Sequence, residues 1–131
     1  FKIVSKLKPT NKTLNKLIFA FNVCRSVKSN AIVITKNFRT IGIGSGQPSR
    51  LDSCMIAINK MKKFQKINDG DEILAASDAF FPFVDGIEKL VQAGVSAVVQ
   101  PSGSKNDKDI IKFADQTNTI LVFSKTRHFN H

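Results

Sequence analysis

The sequence predicts an α/β fold: a mixed sheet with helices on both faces, in the order α-β-β-α-β-α-β-α-β. Three observations support it. Short β-rich runs ("AIVIT", "TIGIG", "EILAAS", "VSAVVQ", "TILVF") alternate with stretches whose apolar residues recur at helical spacing. That alternation favours a sheet with parallel strands and helical cover. The segments after strands are rich in Gly, Pro, Ser and Phe, as suits loops at the carboxyl ends of an open α/β sheet, where ligands bind. The length of 131 residues and the hydrophobic fraction of 42% fit one compact domain and exclude a disordered chain.

The first helix carries Leu14, Leu17, Ile18, Phe21, Cys24 and Val27 on one face, with Thr10 or Asn11 as its cap. "AIVIT" and "TIGIG", joined by "KNFR", read as a hairpin. The second helix follows Ser49, a possible cap, and presents Leu51, Met55, Ile58 and Met61, or Cys54, to the core. A turn at Asp69–Asp71 leads into the short buried strand "EILAAS". The segment "SDAFFPFVDG" cannot be regular, because Pro82 breaks a helix and removes a ladder donor from a strand. "DGIEKLVQAG" is a helix closed by Gly94, "DKDIIKFADQTN" is a helix that Asp107 can cap, and "SKTRHFNH" is a polar, aromatic tail.

The net charge of +10 is unevenly spread. Residues 1–66 hold 14 Lys/Arg against Asp52 alone, whereas residues 67–131 hold 6 against 9 acids. A basic half suits an anionic partner such as a nucleic acid, a phosphorylated metabolite or a polyglutamate tail. Lysine outnumbers arginine 16 to 4, so much of this charge reads as solvated surface. Aromatics do not interleave with the basic residues on one strand, so nucleic acid is not the expected partner. No apolar run approaches the roughly 18–20 residues of a membrane helix. Cys24 and Cys54 have neither metal spacing nor a disulfide framework, which fits reduced thiols in a cytoplasmic protein. The chain begins at Phe1 with no signal-peptide layout and reads as a piece of something longer.

Four segments after strands are candidate ligand loops: "GIGSGQPSR", "SDAFFPFVD", "QPSGSKND" and the tail "SKTRHFNH". "GIGSGQPSR" offers Gly42, Gly44 and Gly46 before a helix, yet it matches neither a Walker sequence nor a dinucleotide fingerprint. A plain turn that needs glycine explains it equally well. Arg50 sharpens it, because a cation in a first helical turn opposes the helix dipole and needs a partner or solvent. "QPSGSKND" is a second anion-friendly turn, with a capped β-to-α loop as its simpler explanation. His128 and His131 lack the companions a zinc site needs.

Taken together and in order, "VKSNAIV", "GIGSGQPSR", "SDAFFPFVDG", "QPSGSKND" and "RHFNH" resemble the C-terminal part of the bifunctional purine biosynthesis proteins, which combine AICAR transformylase with IMP cyclohydrolase. The resemblance runs loosely through residues 1–27 and closely from Ser29 onward. It implies a cytidine deaminase-like fold, with residues 1–131 as the second of two such repeats in the transformylase region. It implies transfer of a formyl group from 10-formyltetrahydrofolate to the 5-amino group of AICAR. AICAR-binding roles fall on Asn30, Arg50, Phe80 and Arg127, with Asn30 also supporting the catalytic histidine. Folate-binding roles fall on Leu51, Asp85, Ser104 and Lys105. The catalytic Lys-His pair of the family has no counterpart here, since Arg127 precedes His128 and Asn130 precedes His131. The base is therefore expected upstream, and the chain alone is expected to be inactive. The deaminase zinc signature is absent as well, so no zinc is expected, and a monovalent cation stays open. The implied partners are AICAR, folate, the upstream half of the protein and, at full length, a second copy in a homodimer; neither nucleic acid nor membrane is among them. Val84 departs from the arginine that many relatives carry before the aspartate at Asp85. A non-catalytic nucleotide-binding module and a basic nucleic-acid-binding domain are the alternatives.

Overall fold

The computed structural model describes residues 1–64 and 66–124. Its elements run β1 (Lys2–Ile3), α1 (Asn11–Arg25), β2 (Ile32–Lys36), β3 (Arg39–Gly44), α2 (Arg50–Phe64), β4 (Ile73–Ser77), α3 (Val84–Gln92), β5 (Val95–Pro101), α4 (Asp107–Gln116) and β6 (Ile120–Ser124). From α1 onward this is the order expected from the sequence. The addition is β1, whose two residues are too few to show a period. One six-stranded sheet results, in the order β1-β6-β5-β4-β2-β3. The strands β4, β5 and β6 are parallel, and β2 runs antiparallel to both β3 and β4.

Side-chain alternation splits the interior into two layers. Ile32, Ile34, Ile73, Ala75, Val98, Leu121 and Phe123 face α2, α3 and α4. Val33, Leu74, Ala76, Ala97, Val99 and Val122 face α1. Two register shifts adjust the alternation. Ile73 pairs with Val95 but Leu74 with Ala97, so Ser96 is an extra residue, and Val95 and Ala97 reach opposite layers. Ile41 is similarly inserted between the pairs Ile34–Gly42 and Thr35–Thr40.

Local chemistry explains three of the helix ends. The Thr10 Oγ1 accepts from the Thr13 N–H at 3.1 Å, and the Ser49 Oγ from the Asp52 N–H at 3.0 Å. Gly94 follows α3 with a φ of 106°, which suits glycine best. The buried stripe of α2 is Ser53, Cys54, Ala57, Ile58 and Met61, whereas Leu51 is half-buried and Met55 is 37% exposed. Cys54, not Met55, therefore belongs to the core face.

The glycines of "GIGSG" divide between the strand reading of "TIGIG" and the loop reading of "GIGSGQPSR". Gly42 and Gly44 lie in β3 under α2, not in a ligand loop. A Cβ on Gly44 would stand 1.9 Å from the Ser53 carbonyl oxygen, and one on Gly42 would stand 2.2 Å from that of Ala57. Their absent side chains let α2 settle on the strand and so place its first turn.

Candidate functional site

The topology gathers one set of loops. The carboxyl ends of β3, β4, β5 and β6 share an edge with the start of β2, because Ile32 pairs with both Gly44 and Ser77. Segments 28–31, 45–49, 78–83 and 102–106 therefore meet at one end of the sheet.

Arg50, in the first turn of α2, is buried at this end, its side chain only 8% exposed. The cation against the helix dipole has a partner in Asp78, whose side chain is 1% exposed. Nη1 of Arg50 donates to the Asp78 Oδ1 at 2.5 Å and the Ser77 Oγ at 3.1 Å, while Nη2 donates to the Asn30 Oδ1 at 2.7 Å. Asp78 also accepts from the Ser29 Oγ at 2.5 Å and the Ala31 N–H at 3.2 Å. Asn30 is held at three points, since its Nδ2 donates to the Gln47 carbonyl at 2.9 Å and its own carbonyl accepts from the Ser53 Oγ at 2.6 Å. The Ser29–Asn30 peptide is cis.

A cleft of about 420 Å³ opens above this network, lined by Asn30, Pro48, Ser49, Arg50, Ala79, Phe80 and Pro82. Three of the four residues expected to bind AICAR thus line one concavity. The fourth, Arg127, lies outside the described residues, as do His128 and His131. Phe80 is half-buried, whereas Phe81 is 1% exposed and anchors the loop in the core. Phe83 is 64% exposed and packs little. A Cβ on Gly103 would lie 3.8 Å from the Phe80 ring, so the loop after β5 backs the ring. The Asn106 Nδ2 donates to the Pro82 carbonyl at 2.7 Å and ties the two loops together.

None of the four residues expected to bind folate lines this cleft. Leu51 is half-buried beside Arg50, and Asp85 is exposed in the first turn of α3. A Cβ on Gly86 would meet the Phe81 ring at 2.7 Å and the Cys54 Sγ at 3.6 Å, so the starts of α2 and α3 lie close together. Ser104 and Lys105 sit on the loop before α4, half-buried and exposed respectively. The amides of that loop already hold an anion: the Gly103 and Ser104 N–H groups donate to Asp107 at 2.9 and 3.2 Å. Asp107 therefore reaches back to the turn instead of capping α4, and Asn106 occupies the cap position.

Asp78 is the residue that sequence reasoning missed. Its only sequence signal was the need of Arg50 for a counter-charge. The two thiols are buried and inert beside this network. Burial pushes the Cys54 thiol up to about 12, with Arg50 opposing the rise and Asp85 adding to it. Burial, reinforced by Asp78, pushes Cys24 higher still. Among the described residues, no group of three or more His, Cys, Asp or Glu could hold a metal ion, and no helix is long and apolar enough to cross a membrane.

The AICARFT/IMPCHase bienzyme family model matches residues 1–60. The bifunctional purine biosynthesis protein PurH of Leuconostoc mesenteroides is 47% identical over 131 residues, which is 100% of this chain and 25% of that protein. PurH of Fusobacterium nucleatum is 48% identical over 130 residues, or 99% of this chain and 25% of its own length. Over its whole length the chain is similar to a part of these bifunctional purine biosynthesis proteins. It spans about a quarter of the length of the relatives it matches. The sheet is similar to that of a dCMP deaminase from the cyanophage S-TIM5, with a TM-score of 0.54 and 18% identity, covering 88% of this chain and 100% of that one. The fold is thus cytidine deaminase-like, and that likeness extends to the fold alone.

Proposed function

We propose that this chain is the substrate-holding part of an AICAR transformylase, which moves the formyl group of 10-formyltetrahydrofolate onto the 5-amino group of AICAR. The observation that carries the reading is the convergence of Asn30, Arg50 and Phe80 on one cleft of about 420 Å³. A flat imidazole suits the face of Phe80. Beyond its bonds to Gln47 and Arg50, the Asn30 amide keeps a second N–H and a second oxygen lone pair with which to orient the carboxamide and the amine beside it. Leu51, Asp85, Ser104 and Lys105, at the same end of the sheet, are assigned to folate, with the Asp85 carboxylate accepting from pterin N–H groups. Arg127 is assigned to AICAR from the resemblance.

In the reaction, the amine nitrogen attacks the formyl carbon and N10 of tetrahydrofolate leaves. The amine gives up a proton, negative charge develops on the formyl oxygen until the C–N10 bond breaks, and N10 takes up a proton as it leaves. This chain has no Lys-His pair to serve those needs. Its part is to bind and orient, while the base comes from an upstream segment of the parent protein. The family name covers two activities. The deaminase-like sheet supports the transformylase side, because the resemblance implies that region is built from two such repeats.

The test is a formyl-transfer assay on the 131-residue chain and on the complete protein that carries it, with IMP cyclohydrolase activity measured in parallel. Transfer by the complete protein and none by the chain is the expected result. Turnover by the chain alone would show that the base lies within it. A chain that supports cyclohydrolase chemistry but no transfer in any context would remove the transformylase reading.

A further inference from the structure

We infer that Asp78 is a positioning residue for the Asn30 amide, acting through Arg50; this rests on the transformylase reading above. The Arg50 guanidinium is anchored at both of its Nη atoms. Arg50 directs Nη1 to Asp78 and Ser77 and Nη2 to Asn30, so its charge is balanced inside the protein and its fork is aimed by the carboxylate. Asp78 is in turn fixed from two sides, by the Ser29 hydroxyl on Oδ2 and the Ala31 N–H on Oδ1. Ser29 and Ala31 flank Asn30, so the carboxylate grips the chain on both sides of the residue it serves. Asp78 does not line the cleft, so its influence on a ligand is indirect. The consequence is specific. With Asp78 in place, the Asn30 Oδ1 is occupied by Arg50 and its Nδ2 by the Gln47 carbonyl, which fixes which end of the amide is which. Without the carboxylate, the guanidinium loses the acceptor that sets its plane, and the amide loses its orientation.

The test uses the complete enzyme carrying this chain, with AICAR and 10-formyltetrahydrofolate varied separately. Asp78→Asn is expected to raise the KM for AICAR about tenfold while the folate KM changes less than about threefold. A merely architectural role would lower the amount of active enzyme and leave both KM values unchanged. In an Arg50→Gln background, Asp78→Asn should add no further loss, because its effect passes through Arg50. Losses that multiply in the double variant, or an AICAR KM within about twofold of the wild type in the folded single variant, would overturn the inference. Should Asp78→Asn fail to fold, Ser29→Ala provides the reading, since it removes one anchor of the carboxylate and keeps the ion pair. An AICAR KM raised roughly threefold supports the role, and an unchanged one removes it. Side-chain NMR separates this inference from the reading beneath it. Resolved Arg50 Nη–H signals that average in Asp78→Asn, together with a shift of the Asn30 amide, report the positioning directly. Wild-type enzyme with neither turnover nor AICAR binding would sink the transformylase reading, whereas unchanged Arg50 and Asn30 signals in Asp78→Asn would sink the positioning role.

Discussion

Strand β4 has an acid at each end, and the two acids live differently. Glu72 precedes the strand and pairs with Lys16 of α1 at 3.2 Å, with the Thr13 hydroxyl donating to its other oxygen. Asp78 follows the strand and pairs with Arg50 of α2. The Glu72 side chain is 36% exposed, while that of Asp78 is 1% exposed. Both pairs join a helix to the central sheet, from opposite faces. Only the second is enclosed, and only the second passes its order to a side chain in a cleft. Burial thus separates a brace from a scaffold for a site. Water can replace Lys16 around Glu72, but no water reaches Asp78 to replace Arg50.

Breaking the buried pair should have the largest effect. Arg50→Met leaves the Asp78 carboxylate uncompensated and is expected to cost about 3–5 kcal/mol, read as a lower urea midpoint of unfolding. AICAR binding by any folded remainder should be lost as well. A cost below about 1 kcal/mol would place this pair with ordinary surface pairs and erase the contrast.

Gly44→Ala approaches the same pair through packing. The new Cβ would stand 1.9 Å from the Ser53 carbonyl oxygen, so α2 must lift from β3, and Arg50 lifts with it. Overpacking of this kind costs about 1–3 kcal/mol, and more where backbone is the obstacle. Thermal unfolding should show that loss, and the Lys16–Glu72 end, joined to α1, should keep its hydrogen-exchange protection. Equal loss of protection at both ends would mean that the ends are not independent.

Alkaline pH sharpens the comparison further, because both thiols lie near the buried pair. Cys54 titrates near 12 in the fold against an ordinary 9.0. A folded pKa above the unfolded one gives stability that is complete below the unfolded value and is lost as pH rises toward the folded value. Between pH 9 and 12, stability should fall progressively as pH rises, because the unfolded chain ionises its thiols before the fold does. Urea midpoints at pH 8 and pH 10.5 measure this, and Cys54→Ala should flatten the slope. An unaltered slope in that variant would exclude Cys54 as a source.

Much of this architecture was legible because it is written locally. Thr10, Ser49 and Gly94 mark helix ends by their own chemistry, and Pro82 forbids regular structure in the loop that carries Phe80. Two kinds of feature escaped. One is long-range partnership: Arg50 signalled a missing counter-charge, but nothing near it in sequence pointed to Asp78, 28 residues away. The other is purpose: Gly42 and Gly44 announced a close approach, which could have been a ligand or a helix, and it is α2. The register shifts at Ile41 and Ser96 also hide the two-residue period that would have sorted those strands into faces. Phe81 and Phe83 shared one motif and took opposite environments, since alternation in an irregular loop carries no fixed period.

The smallest effect belongs to the open brace. Glu72→Gln removes the charge facing Lys16 and keeps an oxygen for the Thr13 hydroxyl. The lysine side chain is 9% exposed, but its partner is open to solvent, so solvent takes over the lost interaction. A loss of about 0.2–1 kcal/mol is expected, reduced further in high salt because screening acts on the exposed side of the pair. AICAR binding should not change, since Glu72 and the first turns of α1 that carry Thr13 and Lys16 lie at the end of the sheet away from the cleft. The comparison therefore has a double readout. Substitution at Arg50 should move stability and binding together, and substitution at Glu72 should move stability slightly and binding not at all. A Glu72→Gln variant that weakened AICAR binding would show that strand β4 transmits order along its length, and the division between brace and scaffold would have to be abandoned.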